Sequence, residues 1–249
     1  MVSALPIRRQ LIASGRWVRP AAAVLAAVLG VTVPATPSDD GDRQAAAAAE
    51  ARALFDRVWT GVTNAGDALR NGCGTITETR VSSLLARPLV FHGTFCASGA
   101  TAFRLDYTQP EPLRIVYNEG VLNVTTETGS RTDVLEIGRA VERTRQYFSG
   151  PHASENLRRD FSVSAVEARE GYTVTLIPRS GRLASRLKRV VATVGRDDFV
   201  LRRLEIRGIS GVESTFDVHV ERVNVAIDPQ LFKVYRPRAG KGADGHDGH

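Results

Sequence analysis

Apolar and polar residues alternate over residues 103–124, which predicts three short strands joined by two turns. The first turn contains Pro110 and Pro112, and a proline lacks the backbone donor that the interior of a strand needs. Gly120 marks the second turn, because glycine adopts a positive φ without steric cost. This stretch is therefore predicted to be an antiparallel meander with one apolar face and one polar face.

The same alternation continues towards the C-terminus and predicts further strands. They cover residues 161–166, 172–176, 187–194, 199–206, 214–220 and 224–235. Together with the meander and a hairpin that precedes it, these strands predict an α+β fold. Its core is a strongly curved antiparallel sheet, an incomplete β-barrel of about ten or eleven strands.

Two amphipathic helices are predicted over residues 44–70 and 133–149. In the first helix, Phe55 and Trp59 recur at helical spacing on one face. Asp133 and Glu136 resemble a capping box at the start of the second. A short helical turn is expected over residues 152–159. We expect the helices to act as a lid over the apolar face of the sheet.

The first 35 residues resemble an export signal, with four arginines, an apolar run over residues 21–33 and small residues before a cleavage point. The alternative is a membrane anchor, but this run is shorter than the about 20 residues that span a bilayer. We expect a signal peptide over 1–35, a linker over 36–43, one periplasmic domain over 44–237 and a disordered tail over 238–249. Arg8 and Arg9 leave open whether export follows the Sec or the twin-arginine route.

The net charge of the 249 residues is +6, and removal of the four leader arginines lowers it to about +2. A charge of this size is weak evidence for nucleic-acid binding. Aromatic residues make up only 6% of the chain, too few for a base-stacking surface. We therefore expect no nucleic-acid partner.

Cys73 and Cys96 are the only cysteines, and an even pair behind an export signal predicts a disulfide. A hairpin centred between Leu84 and Leu85 places the two cysteines opposite each other. A bridge that closes a loop of this length stabilises a fold by about 3 kcal/mol.

The sequence lacks the patterns that usually accompany catalysis. Its five histidines do not form a metal-binding motif, and two of them lie in the tail. There is no G-x-S-x-G elbow, no phosphate-binding glycine loop and no dinucleotide fingerprint. The adjacent carboxylates of Asp197 and Asp198 are interpreted as turn residues. The prediction is a protein that is not an enzyme, with neither metal nor cofactor.

The order of residues in the meander resembles the LolA family of periplasmic lipoprotein carriers. The matching residues are Phe103, Tyr107, Thr108, Gln109, Pro110 and Gly120. A weaker match covers residues 190–199, and together the two matches extend over most of residues 61–237. By this resemblance the chain looks like a divergent member of the family.

The resemblance implies that sheet and lid enclose an apolar cavity that holds acyl chains of a lipoprotein or another lipid. It implies a monomer that takes its passenger from an inner-membrane exporter and delivers it to an outer-membrane acceptor. The residues expected to line the cavity are Phe55, Trp59, Phe103, Leu105, Tyr107, Ile115, Tyr117, Leu122, Ile137, Val141, Phe148, Val174, Leu176, Leu204, Ile206, Phe216 and Val218.

Other interpretations of the same alternation stay open. A solid core without a cavity fits it, and so does a periplasmic lipid-sensing or interaction module that regulates a membrane partner. An envelope hydrolase would need a polar cluster inside the cavity. The family holds its lid with an arginine that precedes a proline, but an ungapped count places Gly99 and Ala100 there. We therefore expect a divergent relative of the standard carrier, and its passenger is left open between a lipoprotein and another long-chain lipid.

Overall fold

The computed structural model describes residues 40–99, 101–126, 132–148, 152–179 and 181–236. The predicted signal peptide, the first half of the predicted linker and the predicted tail lie outside these residues.

Eleven strands of the described residues form the sheet. They are β1 (Asn71–Val81), β2 (Leu89–Ser98), β3 (Ala102–Gln109), β4 (Leu113–Asn118), β5 (Val121–Thr126), β6 (Thr132–Glu136), β7 (Phe161–Ala168), β8 (Gly171–Pro178), β9 (Leu187–Gly195), β10 (Leu201–Gly208) and β11 (Glu213–Val223).

The described strands form one open sheet in the order β6-β5-β4-β3-β2-β1-β11-β10-β9-β8-β7, and every neighbouring pair is antiparallel. Each described strand lies beside the next one in the chain except β6 and β7, which form the two edges of the sheet, and β1 also pairs with β11. This one long-range pairing joins an N-terminal half, β1 to β6, to a C-terminal half, β7 to β11. The prediction of a curved antiparallel sheet that does not close into a barrel is confirmed.

Four helices accompany the sheet in the described part of the chain. They are α1 (Asp40–Ala68), α2 (Gly138–Arg145), α3 (Ala153–Asp160) and α4 (Gly181–Ala184), and a 3-10 turn follows at Pro229–Phe232. α1 begins four residues earlier than predicted, and α4 was not predicted. None of the described helices combines the length and the apolar content that crossing a membrane requires.

The helix predicted over residues 133–149 is wrong in its first part, where the chain forms β6. Leu135 pairs with Leu122 and Asp133 pairs with Val124, so residues 132–136 satisfy the backbone groups along the edge of β5. The predicted capping box is therefore wrong, since Asp133 lies in a strand. α2 begins only at Gly138.

The last predicted strand is also wrong, because residues 224–236 leave the sheet and cross the meander; we call them the C-terminal strap. β11 already has β1 and β10 on its two sides, so no free strand edge lies beside the chain after Val223. The side-chain amide of Asn118 donates a 3.0 Å hydrogen bond to the carbonyl of Phe232. The side-chain amide of Asn123 donates a hydrogen bond of the same length, 3.0 Å, to the carbonyl of Tyr235.

The predicted hairpin around the cysteines is confirmed in its register. Cys73 lies opposite Cys96 on β2, Thr75 lies opposite Thr94, and the two cysteines form a disulfide. The bridge joins two adjacent strands at the end where the sheet meets α1, so it fixes the start of β1. This pairing followed from local hairpin geometry alone.

Candidate functional site

The apolar positions of the strands lie mostly on one face of the sheet, which we call the inner face. α1 packs against this face, and two groups of buried side chains divide it. The first group lies on the C-terminal half and includes α1; it is called the helix-covered cluster. The second lies on β3 to β5 and is called the meander cluster. Ile76 on β1 is partly buried and packs against both of them.

The helix-covered cluster is a densely packed core. Phe55, Val58 and Trp59 of α1 are buried in it, and the rings of Phe55 and Trp59 stack with centroids 5.8 Å apart. The indole nitrogen of Trp59 donates a 3.0 Å hydrogen bond to the carbonyl of Tyr147. This bond fastens α1 to the segment that follows α2, so the two parts of the predicted lid meet over the C-terminal half of the sheet.

Among the side chains that the structure describes, none of α1 belongs to the meander cluster. Its buried members are Leu105, Tyr107, Ile115, Tyr117, Leu122 and Val124. Around them lies a border of partly buried apolar side chains, namely Ile76, Phe91, Phe95, Phe103, Leu113, Leu135, Ile137 and Val141. Among the described helices, only α2 contributes to this border, through Val141, with Ile137 directly before it.

A buried carboxylate interrupts the apolar inner face at the junction of the two clusters. Glu78 on β1 is 2% exposed and lies between Phe216 on β11 and Phe91 on β2. Arg80 donates hydrogen bonds of 3.0 and 2.6 Å to one of its oxygens, and Tyr107 donates one of 2.7 Å to the other. Both oxygens of this carboxylate are therefore paired.

The same contact explains the electrostatics of Tyr107. Burial of the phenol raises the pKa of Tyr107 above its ordinary value. The Glu78 carboxylate raises this pKa further, because its charge repels a phenolate and because it accepts a hydrogen bond from the neutral phenol. Tyr107 thus stays a neutral hydrogen-bond donor. A fully paired carboxylate and a neutral phenol are features of a structural contact.

A second polar contact holds the lid segments together. The phenol of Tyr147 donates a 2.7 Å hydrogen bond to Asp160, the last residue of α3. Partial burial acts to raise the pKa of Asp160, but the hydrogen bonds from Arg159 and Tyr147 outweigh it, so this pKa lies below its ordinary value. The guanidinium of Arg158 pairs with Asp56 of α1, which joins α3 to α1.

The residues predicted to line one cavity lie in two groups. Those in or against the helix-covered cluster are Phe55, Trp59, Phe148, Val174, Leu176, Leu204, Ile206, Phe216 and Val218. Those in or against the meander cluster are Phe103, Leu105, Tyr107, Ile115, Tyr117, Leu122, Ile137 and Val141. All of them lie on the inner face or on the helices above it, and the role of each in ligand binding stays a prediction.

Two of the open clefts in the described part of the chain lie apart from most of the predicted lining. One, of about 560 Å³, runs along the exposed side of α1 beside Ala49, Arg52 and Asp56. The other, of about 180 Å³, lies over β1 and β11 beside Thr75 and Val218. Neither cleft is lined by a buried member of the meander cluster.

Sequence reasoning missed two features of this site. Glu78 is a charged residue at an inner position of β1, and the inner positions of that strand are too varied to give a sequence signal for it. The role of Asn118 and Asn123 as anchors of the C-terminal strap carried no such signal, because their partners lie more than 110 residues away.

The described residues contain no group of three or more His, Cys, Asp or Glu side chains that could hold a metal ion. His92 contacts the hydroxyl of Thr77 at 3.1 Å on the outer face. Asp198 accepts a hydrogen bond from the backbone of Val200 and pairs with Arg202, as expected for a residue of a tight turn. These contacts give the side chains of His92 and Asp198 structural partners.

Comparison with protein-family models and with curated proteins finds no match for this chain. Several solved structures are similar to it. A LolA superfamily protein from Nitrosomonas europaea is 11% identical, with 70% of this chain and 97% of that chain covered and a TM-score of 0.36. A conserved protein from Thermus thermophilus is 14% identical, with coverages of 76% and 96% and a TM-score of 0.44. The lipoprotein LppX of Mycobacterium tuberculosis is 12% identical, with coverages of 70% and 98% and a TM-score of 0.38.

The family that the meander resembles is thus represented among the similar structures. The TM-scores of these three structures lie below 0.5, so the likenesses carry no argument about ligand or activity. The function has to be argued from the arrangement of this chain's own residues.

Proposed function

We propose that the protein is a periplasmic carrier that holds acyl chains of a lipoprotein or another lipid against the meander cluster. The observation that supports this proposal is the unequal cover of the inner face. α1 seals the helix-covered cluster, whereas the meander cluster has only the short α2 and a border of eight partly buried apolar side chains. An acyl chain that displaces α2 would lie against these side chains.

The hydrophobic effect is large enough for such binding. Burial of about eight methylene groups of an acyl chain contributes about 6 kcal/mol. Opening the border costs part of this energy, because Ile137 and Val141 leave their contacts with the cluster. A net affinity of about 0.1 to 1 mM is therefore expected for a chain of this length.

The route of the passenger follows from the resemblance and from the features of an exported protein. The disulfide Cys73–Cys96 suits an oxidising compartment such as the periplasm. Within that compartment, the carrier would receive its passenger from an inner-membrane exporter and pass it to an outer-membrane acceptor.

The test uses two neighbouring residues of β2 that point to opposite faces. Phe95 belongs to the border of the meander cluster, whereas Thr94 is exposed on the outer face. A fluorescent fatty acid is titrated into the full chain, Phe95→Ala and Thr94→Ala. We expect Phe95→Ala to weaken binding about tenfold, because it removes aromatic surface from the acyl contact, and Thr94→Ala to bind as the unchanged chain does.

The outcomes separate the candidate functions. Equal affinity of the two variants, or no binding of the probe, would contradict an acyl site on the meander cluster. Transfer of the probe from donor to acceptor vesicles supports a carrier. Probe binding at the Phe95 surface without transfer would instead favour the lipid-sensing or interaction module.

A further inference from the structure

Exposed apolar side chains gather at one end of the sheet, where the β1–β2 and β10–β11 connections lie next to each other. Leu84, at the tip of the first hairpin, is 84% exposed. Val81 and Val90, at the base of the same hairpin, are 46% and 40% exposed, and Ile209 on the second connection is 49% exposed. Because β1 pairs with β11, the two connections leave the same edge side by side. We call these four residues the tip surface.

Basic side chains lie on the β1–β2 hairpin and on the β9 side of the tip surface. Arg87 lies on the β1–β2 hairpin, and further cations follow on α4 and at the start of β9, where the backbone amide of Ile209 donates a 3.2 Å hydrogen bond to the carbonyl of Arg186. Five exposed cations have no side-chain partner among the described residues, namely Arg87, Arg182, Arg186, Lys188 and Arg189.

The carboxylates at this end balance only part of that charge. Glu213 beside Val81 is held by Arg207, whose guanidinium lies 2.6 Å away. Asp160 is held by Arg159 at 3.1 Å. Glu111 is exposed on the β3–β4 turn, which lies beside the β1–β2 hairpin at the same end of the sheet, and it is one carboxylate against five cations.

We propose that the tip surface docks the protein on an anionic lipid bilayer. Exposed leucine, isoleucine and valine side chains can enter the boundary between head groups and acyl chains, and the surrounding cations face lipid phosphates. Exposed apolar side chains on two adjacent connections, flanked by cations that have no side-chain partner among the described residues, are the combination that an anionic lipid surface binds. This docking is independent of the acyl site of the proposed function, since the two use different residues.

The other end of the sheet supplies matched controls. Val166, near the β7–β8 turn, is 56% exposed, and Arg169 on that turn is exposed. These residues resemble Leu84 and the unpaired cations in type and exposure, but they lie at the end opposite the tip surface. Equal changes at the two ends therefore separate a docking surface from a general effect of hydrophobicity or charge.

The first experiment reports the position of the hairpin tip directly. Leu84→Cys and Val166→Cys are each made in the full chain and labelled with an environment-sensitive fluorophore, the native cysteines being joined in their disulfide. Vesicles of phosphatidylglycerol and phosphatidylethanolamine are added, and vesicles of phosphatidylcholine serve as the comparison. We expect a blue shift and a rise in intensity at position 84 on the anionic vesicles only, and none at position 166.

The second experiment measures how strongly the cations contribute. Arg182→Ser and Arg186→Ser together are compared with Arg169→Ser by co-sedimentation of the full chain with the anionic vesicles. Each cation near an anionic surface is expected to change binding about fivefold. The double variant should therefore lose binding by more than tenfold, and Arg169→Ser should retain it.

Three results would overturn the proposal: no fluorescence change at position 84 on anionic vesicles, an equal change at positions 84 and 166, or co-sedimentation that the double variant leaves unaltered. The vesicles contain no protein. If the tip surface binds a membrane protein and not lipid, position 84 will therefore show no fluorescence change. Failure of the fatty-acid titration at Phe95 leaves these measurements unaffected, so the two proposals fail separately.

Discussion

The phenol of Tyr107 on β3 and the carboxylate of Glu78 on β1 form a 2.7 Å hydrogen bond across the intervening strand β2. Both side chains are buried, at 5% and 2% exposure. The bond lies where the helix-covered cluster ends and the meander cluster begins, so it holds the two halves of the inner face in fixed relation. A carboxylate in such a place is tolerated only because Arg80 and Tyr107 pair its oxygens.

Tyr107→Phe is expected to destabilise the fold by about 1–3 kcal/mol, because it leaves one oxygen of a buried carboxylate without its donor. Urea unfolding of the variant and the unchanged chain measures this difference. Tyr117→Phe is the matched control, since Tyr117 is equally buried in the meander cluster and makes no side-chain hydrogen bond within the described residues. Equal stability of the two variants would contradict a structural role for the Glu78 contact.

The free energy of unfolding is expected to depend on pH through the carboxylate of Asp160. Its pKa in the folded protein lies below the ordinary value, so the carboxylate stabilises the fold above the unfolded-state pKa near 3.9, and this stability is lost as pH falls through the folded-state value. Asp160→Asn should thus be less stable than the unchanged chain at pH 7, and the difference should shrink as pH drops below about 4. Asp197→Asn, on the exposed β9–β10 turn, serves as the control and should change stability little at either pH.

Gly93 on β2 marks a place where the strands leave no room for a side chain. An added Cβ would lie 2.3 Å from the carbonyl oxygen of Asp106 on β3, at the register shift between those strands. Gly93→Ala is therefore expected to lower the free energy of unfolding by about 2 kcal/mol or more. Gly66→Ala on α1 meets nothing within 4 Å and should be neutral or stabilising by up to about 1 kcal/mol. Thermal unfolding of both variants decides between a steric and a general glycine effect.

The disulfide is expected to contribute about 3 kcal/mol, since Cys73 and Cys96 are 23 residues apart and close a loop of moderate length. The double variant Cys73→Ser and Cys96→Ser should lose this stability in urea unfolding. The unchanged chain treated with a reductant should unfold at the same urea concentration as the double variant. A reductant that further destabilises the double variant would contradict this account.

The sheet could be predicted in detail where the information is local. The alternation in the meander predicted β3, β4 and β5 to within two residues at each end, because side chains of a strand point alternately to its two faces. The candidate site could be predicted only as a set of inward-facing residues. The division of that set between two clusters depends on where α1 lies, and periodicity in α1 gives its apolar face but not the strands that this face covers.

The strand alternation, the hairpin register and the pairing of Cys73 with Cys96 could be read from the residues alone, since each follows from contacts between residues close in the chain. Three outcomes required the folded molecule: residues 132–136 become β6, the C-terminal strap leaves the sheet, and Glu78 is buried beside Tyr107. Those outcomes depend on which strand edge is free and which partner lies across it. For residues 132–136 the free edge belongs to β5, and for the strap no edge is free because β11 pairs with β1, which joins residues about 140 positions apart.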